Sequence, residues 1–263
     1  MPVLHAIVLG IVQGLSEFLP ISSSGHLVLV PWFFDWDELA GNPDLSRSFD
    51  VALHVGTFVG ASAYFAKDIW RLATRNRRLG VLLLLSAAPA GLVGVLVDAF
   101  LEEQLETVWL IGVMLIAFAV VLQWADRLPG TRGEGEFGPR EAVFMGTAQA
   151  LAIQPGVSRS GATISMARWL GFGRNAAARL SFLMSLPVIG GAGLYKGFDT
   201  LVLGDGIPSD LRSAFVWGMA AAGATGFAAV WGLLRLVHTR SFAPFVAYRI
   251  VLGAAVLAVT VIS

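Results

Sequence analysis

From position 13 the chain reads Gln13-Gly-Leu-Ser-Glu17-Phe-Leu-Pro20-Ile-Ser22-Ser23-Ser24-Gly25-His26. A carboxylate, three adjacent hydroxyls and an imidazole lie in a sequence otherwise as apolar as lipid. Such groups are costly to bury in a membrane and mark a pathway or a site. Gln13 and Glu17 are four apart, so on a helix they share a face and can point at the turn that follows. Glu17 has the chemistry of a hard oxygen ligand for Mg²⁺ or Ca²⁺, or of a general base. The plainer alternative is a carboxylate that only hydrogen-bonds the turn. Gln13 is either a second ligand of the same ion or a structural amide. His26 can attack phosphorus, protonate a leaving oxygen or bind metal. A lone histidine is more often a packing residue, and His5, His54 and His238 are read that way; His26 differs because it lies three residues from Ser23 in the same polar turn.

A second polar stretch, Pro155-Gly156-Val157-Ser158-Arg159-Ser160-Gly161-Ala162-Thr163, carries what the first lacks. Arg159 is permanently charged and presents a planar fork suited to phosphate oxygens. The glycines and hydroxyls around it let backbone amides and side chains approach an anion closely. An ion pair between Arg159 and Glu17 is the competing role, and the two can alternate between an empty and a filled site.

The elements that must position these residues are apolar. Of 263 residues 56% are hydrophobic and only 14% charged, and the mean hydropathy is +0.73. A soluble domain carries roughly 25% charged residues. Apolar runs of about 18 to 20 residues, long enough to span a bilayer, recur between short charged segments. Period-two alternation is absent, which argues against a β-barrel. A net charge of zero gives no support for nucleic acid as a partner. With no cysteine, thiol chemistry and disulfides are excluded. No Lys or Arg precedes the first apolar run, so residue 1 is expected to belong to the mature protein rather than to a cleaved leader.

In chain order, residues 2–19 and 26–34 are two short helical pieces broken at Pro20 and the serines. Irregular backbone at membrane depth is tolerated only inside protein or beside a wet cavity, which suggests a re-entrant hairpin. Spans are expected at 49–66, 81–97 (kinked at Pro89), 108–125, 177–195, 213–233 and 244–262. A second broken pair occupies 141–154 and 163–170. Between them lie an acidic loop at 35–48, a basic loop at 67–80, acidic loops with Glu102, Glu103 and Glu106 and with Asp199 and Asp205, and a Gly/Pro-rich connector at 126–140. With the basic loop cytoplasmic, and both broken pairs returning to the side they entered, thirteen of the 18 Lys and Arg fall inside and three outside. Both termini then lie outside.

Shifted by 136, residues 6–25 overlie 142–161 without a gap. Ala6, Gly10, Gln13, Leu15, Ser22, Ser24 and Gly25 meet Ala142, Gly146, Gln149, Leu151, Ser158, Ser160 and Gly161. Each broken pair precedes three spans, so the halves have opposite topology, a plan that places the site where the breaks meet. The fold expected is an all-α polytopic membrane protein: one integral membrane domain over 1–263, an inverted-topology repeat with halves 1–130 and 140–263, six transmembrane helices and two re-entrant hairpins. The alignment sets Arg159 against Ser23, Ile153 against Glu17 and Ala162 against His26, so a symmetric fold carries an asymmetric site.

Taken together, Gln13 to Glu17 with Ser22 to His26, and Pro155 to Thr163, make the sequence resemble the undecaprenyl-diphosphate phosphatases of the bacitracin-resistance type, over essentially the whole chain. That resemblance implies hydrolysis of undecaprenyl diphosphate to the monophosphate in the bacterial inner membrane, dependent on a divalent cation, Mg²⁺ or Ca²⁺, with a site reached from the periplasmic side. The partners it implies are a polyprenyl diphosphate substrate and membrane lipids, with a homodimer left open as the assembly. Carried over by position, Glu17 is the key acid and metal ligand, and His26 and Ser23 are candidate nucleophiles or proton carriers. Arg159 binds the diphosphate, with Ser158, Ser160 and Thr163, and Ser22, Ser24 and Gln13 on the other side. Relatives often have Glu at the place of Gln13; the amide removes a charge there.

A phosphatidic-acid-type phosphatase needs a second histidine shortly after the arginine, and none occurs between Arg159 and His238. A lipid transporter or flippase is the main competitor, since inverted re-entrant hairpins are a transport architecture. A scaffold subunit would leave the buried polar groups unexplained.

Overall fold

A computed structural model describes residues 1–36, 38, 42–98, 107–198 and 206–262. The loop acids Asp37, Glu102, Glu103, Glu106, Asp199 and Asp205 lie outside the described residues. The described chain is helical: α1 Val3–Phe18, α2 Ser23–Phe34, α3 Pro43–Tyr64, α4 Ala66–Thr74, α5 Arg77–Leu85, α6 Ala88–Asp98, α7 Val108–Arg127, α8 Pro139–Ala150, α9 Arg159–Trp169, α10 Arg174–Phe198, α11 Arg212–Val237 and α12 Ala243–Ile262. Among the described residues five helical stretches are long and apolar enough to cross a membrane, and the number is six when α3 and α4, bent by 73° between them, are taken as one span. Trp109 and Trp124 stand near the two ends of α7, and Trp217 and Trp231 near the two ends of α11. All four are more than half exposed, as in the aromatic belts of membrane proteins. This is a multi-pass helical membrane protein.

Three local details differ from the sequence expectation. The basic segment 67–80 is largely helical, because Ile69, Trp70 and Leu72 recur against Lys67, Asp68 and Arg71 at helical spacing. The kink expected at Pro89 falls just before it, as a break between α5 and α6 within one apolar stretch, Arg77–Gly94. The chain turns at 86–87, and Pro89 takes an early position in α6, where its missing N–H has no carbonyl to reach. The second pieces of the broken pairs start earlier than expected, at Ser23 and Arg159, because Ser22 and Ser158 cap them. Each accepts a bond from the backbone N–H three residues on, of Gly25 at 3.4 Å and of Gly161 at 3.1 Å.

Both broken pairs close on themselves. His5, near the start of α1, stacks on Trp36 just past α2, with ring centroids 3.8 Å apart, and its Nδ1 lies 2.5 Å from Glu38. In the second pair, Arg132 donates to the Leu170 carbonyl at 2.8 Å and to Glu141 at 3.0 Å, joining the head of α8 to the tail of α9. Burial opposes the charge of Glu141, but backbone N–H groups, that of Gly138 among them, and Arg132 outweigh it and hold the carboxyl below its ordinary range.

The basic segments gather on one face. Arg179 bonds Asp68 at 2.9 Å and Glu134 at 2.5 Å, and Arg174 bonds Asp126 at 2.5 Å, tying α4, the connector and the start of α10 together. Met1, Trp36, Leu45 and Ile207 cluster with Phe49, Leu211 and Phe215 elsewhere.

Small residues let the helices approach closely. α11 is sandwiched between α1 and α3. A Cβ at Gly60 would collide with the Gly223 carbonyl oxygen, and one at Gly14 would lie 2.5 Å from that of Ala222. Backbone contact of this kind is the main attraction between helices in lipid. Gly60→Leu is therefore expected to cost about 1–3 kcal/mol or more, read as a lower thermal midpoint in detergent. Gly232→Leu on the open side of α11, where a Cβ meets nothing within 4 Å, should leave the midpoint unchanged.

Candidate active site

The two breaks meet in the protein interior. Ser22 and Ser158 have φ of 79° and 72°, a conformation uncommon for serine that costs on the order of 1–3 kcal/mol unless its surroundings enforce it. Here they do. Ser22 Oγ accepts from the Gly156 N–H at 3.0 Å, across the two halves, and Ser160 Oγ donates to the Leu19 carbonyl at 3.0 Å. No reciprocal bond to Ser158 exists, because the residue aligned with Gly156 is Pro20, which has no N–H.

A fully buried arginine of α12 closes the junction. Arg249 Nε donates to the Leu115 carbonyl at 3.2 Å and Nη1 to that of Pro20 at 3.1 Å, while Nη2 reaches Gly156 at 2.8 Å and Val157 at 3.1 Å. One guanidinium thus clips both breaks and α7 by their carbonyls.

Glu17 and Arg159 are brought together, 142 residues apart in sequence. Arg159 Nη2 bonds Glu17 Oε1. The other carboxylate oxygen accepts from Ser23 Oγ at 2.6 Å and from Gln13 Nε2 at 3.1 Å. His54 Nε2 stands 3.6 Å from that same oxygen, with Nδ1 fixed on the Asp50 carbonyl at 2.8 Å. The Glu17 side chain is 1% exposed and that of Arg159 19%. The carboxylate therefore lies just behind a wall made by Ser23, His54 and Arg159, and all three line a cavity of about 550 Å³. Ser24, Ser158 and Gln149 line the same cavity.

The remaining expected residues do not reach this cavity wall. His26 has both ring nitrogens engaged: Nδ1 donates to the Ser22 carbonyl at 2.6 Å, and Tyr248 Oη lies 2.7 Å from Nε2, with the rings stacked. It fastens α2 to α12. Ser22 and Ser160 hold the breaks as described. Thr163 is buried between its own turn and Ser181 Oγ, 2.6 Å away, so it fixes α9 to α10.

Sequence reasoning missed two residues. His54 lies in an apolar span, and Asp50, one turn before it, makes no recognisable motif with it. Gln149 is 2% exposed, and neither of its amide atoms has a hydrogen-bond partner. Its alignment with Gln13 was the available signal. A buried amide without a protein partner is uncommon, and this one lines the cavity.

The donor set accommodates a metal ion only in part. Among the described residues no three His, Cys, Asp or Glu side chains form a metal-binding group. Glu17 is the one carboxylate at the junction among the described residues, and Gln13 Oε1 beside it is buried without a protein partner. One carboxylate and one carbonyl oxygen suit a cation that arrives with phosphate oxygens completing its shell, as Mg²⁺ commonly does.

Membrane-length helices around a buried carboxylate, a guanidinium paired with it and hydroxyls at the wall of a cavity define an integral membrane protein with a polar cluster inside its helical bundle. The profile of the family described as "Bacitracin resistance protein BacA" matches residues 6–255, and the chain belongs to that family. A protein of Pelotomaculum thermopropionicum named undecaprenyl-diphosphatase is 46% identical over 270 residues, covering 98% of this chain and 96% of the relative. Proteins of the same name from Pelobacter propionicus and a Nocardioides strain are 43% and 41% identical over 274 residues, covering at least 97% of this chain and 95% of each relative.

Proposed function

We propose that the protein hydrolyses undecaprenyl diphosphate to undecaprenyl phosphate and inorganic phosphate, recycling the lipid carrier of cell-wall synthesis. The observation that carries this reading is the Ser23–Glu17–Arg159 cluster at the cavity wall: a hydroxyl in hydrogen-bond contact with a carboxylate, and a cation on that carboxylate's other oxygen. Relatives of the same name over almost the full chain support it.

In the mechanism we infer, the diphosphate enters the cavity and competes with Glu17 for Arg159, whose fork then neutralises phosphoryl oxygens. Ser23 Oγ attacks the terminal phosphorus while Glu17 Oε2, already its acceptor, takes the proton. The bond from that phosphorus to the bridging oxygen breaks, and the lipid monophosphate departs. Glu17 first gives up that proton to the cavity. Water then attacks the phosphoserine while Glu17 takes one of its protons and hands it to the Ser23 oxygen as that oxygen leaves. The other proton stays on the released phosphate. His54 stands where it can pass protons between Glu17 and the cavity. When bound through Glu17 and Gln13 Oε1, Mg²⁺ or Ca²⁺ would supply charge neutralisation on the diphosphate. His26 acts by fixing the break rather than by touching phosphorus.

We place the protein in the bacterial inner membrane as an inverted repeat of halves 1–130 and 140–263. α1–α2 and α8–α9 are the re-entrant hairpins, with six spans around them. The face joining α4, the connector and the start of α10 is cytoplasmic by its Lys and Arg. The first hairpin then enters from the periplasm, and both termini lie outside.

Two measurements bear on this reading. Purified protein should release phosphate from the lipid diphosphate when Mg²⁺ or Ca²⁺ is present. Chelation should lower that rate at least about a hundredfold, reversibly on adding the ion back; a rate indifferent to chelator would remove the ion from the scheme. Gln149→Leu should raise KM about tenfold, because the amide's bonds to phosphate are lost. Since the amide is unpartnered in the empty protein, the same change should leave the thermal midpoint equal or higher. An unchanged KM would make the amide idle.

A further inference from the structure

On the basic face, where the end of α3 and the end of α11 meet the start of α10, lies a cavity of about 290 Å³ lined by Tyr64, Trp231, Asn175, Arg179, Arg235 and His238. None of these residues lines the cavity that holds Arg159. α11 packs chiefly on α1 and α3 and touches α10 sparingly. Beside the cavity those two helix ends are linked through side chains, Asn175 Nδ2 standing 3.2 Å from His238 Nε2. The two arginines differ. Arg179 is already matched, Nε by Glu134 and Nη2 by Asp68. Arg235 is exposed, its guanidinium carbon lies 5.8 Å from the centre of the Trp231 ring, and among the described residues no carboxylate or carbonyl accepts from it. A last-turn arginine suits the dipole of α11, and that role leaves its fork of N–H donors free. Trp231, more than half exposed near the end of α11, marks the depth where hydrocarbon gives way to headgroups.

We propose that this cavity seats the headgroup of an anionic phospholipid of the phosphatidylglycerol class, with Arg235 on the phosphate oxygens and the Trp231 and Tyr64 rings beside the glycerol. A guanidinium without a counter-ion, flanked by an amide and an imidazole, calls for an anion. Aromatic rings at headgroup depth call for an amphiphile rather than a soluble anion. Basic segments attract anionic lipid loosely all over such a face, whereas a seated headgroup depends on one arginine. The site shares no residue with the Ser23–Glu17–Arg159 cluster, so the proposal stands apart from the hydrolase reading.

The test uses the full-length protein, stripped of lipid in detergent, with phosphatidylglycerol added back and bound lipid counted by native mass spectrometry. One tightly held lipid per chain is expected, and Arg235→Gln should weaken it at least about fivefold. Arg240, an exposed cation just past α11 that does not line the cavity, serves as the control. Arg240→Gln should bind the lipid as the parent does. Because both side chains are exposed, both variants should keep the parent's thermal midpoint in lipid-free detergent. Equal weakening in the two variants would overturn the proposal, since the attraction would then belong to the whole face. Displacement of the lipid by an equal concentration of inorganic phosphate would overturn it too, by making the cavity a site for free anions. Phosphate release by Arg235→Gln should equal that of the parent, so a failure of the hydrolase reading is seen separately.

Discussion

Glu17→Gln is expected to lower phosphate release from the lipid diphosphate by about 10²–10⁴-fold, the range over which a positioned general base contributes. The substitution keeps the size of the side chain and can keep a bond from Ser23, so the geometry of the break survives. What it removes is the capacity of Oε2 to take the Ser23 proton, and the charge that holds Arg159 in the empty site. Both losses act on one cluster, so Glu17→Gln and Arg159→Met should be far from additive. The double variant should be little worse than the poorer single one. Phosphate release is the first readout and thermal stability the second, because an unfolded variant would lose both. A folded Glu17→Gln protein retaining more than about a tenth of the rate would show that the carboxylate is only a counter-ion.

Arg249→Met is expected to be the most damaging change outside the cavity. Four backbone carbonyls, those of Pro20, Gly156, Val157 and Leu115, bond this one side chain. Each buried acceptor left without a donor costs about 1–3 kcal/mol, so the loss is several kcal/mol even with partial relaxation. Activity should vanish, and the midpoint in detergent should fall sharply. The chain has no cysteine, so spin labels placed at introduced cysteines replacing Leu19 and Gln154 can report the distance between the breaks. A narrow distribution is expected in the parent and a broad one in Arg249→Met. Arg249→Lys should recover little, since an ammonium cannot present the fork that reaches both breaks. A narrow distribution retained in Arg249→Met would show that other bonds hold the junction.

The meeting of Glu17 with Arg159 was legible because the repeat aligns without a gap and the two charges are the ones that need each other. The multi-pass helical character followed from composition and run length. The starts of α2 and α9 were less legible, since serines and glycines read as loop until a cap turns them into the first turn of a helix. The helix α4 was hidden by its charges, although its apolar residues kept helical spacing. The contacts of His26 were hidden for a different reason: its partner Tyr248 is 222 residues away, and nothing near either residue announces the other. His54 and Gln149 enter the cavity through tertiary packing of α3 and α8. Arg249 was visible as a charge in an apolar run, but backbone carbonyls leave no mark in a sequence, so its partners were not.

The central claim is that the Ser23–Glu17–Arg159 cluster breaks the phosphoanhydride bond rather than escorting an intact lipid. Purified protein in vesicles holding undecaprenyl diphosphate labelled on its terminal phosphate tests it most directly. Label should appear as inorganic phosphate, at a rate that collapses in both Glu17→Gln and Arg159→Met. Label that stays in the lipid while the lipid changes leaflet would contradict the account and identify a transporter.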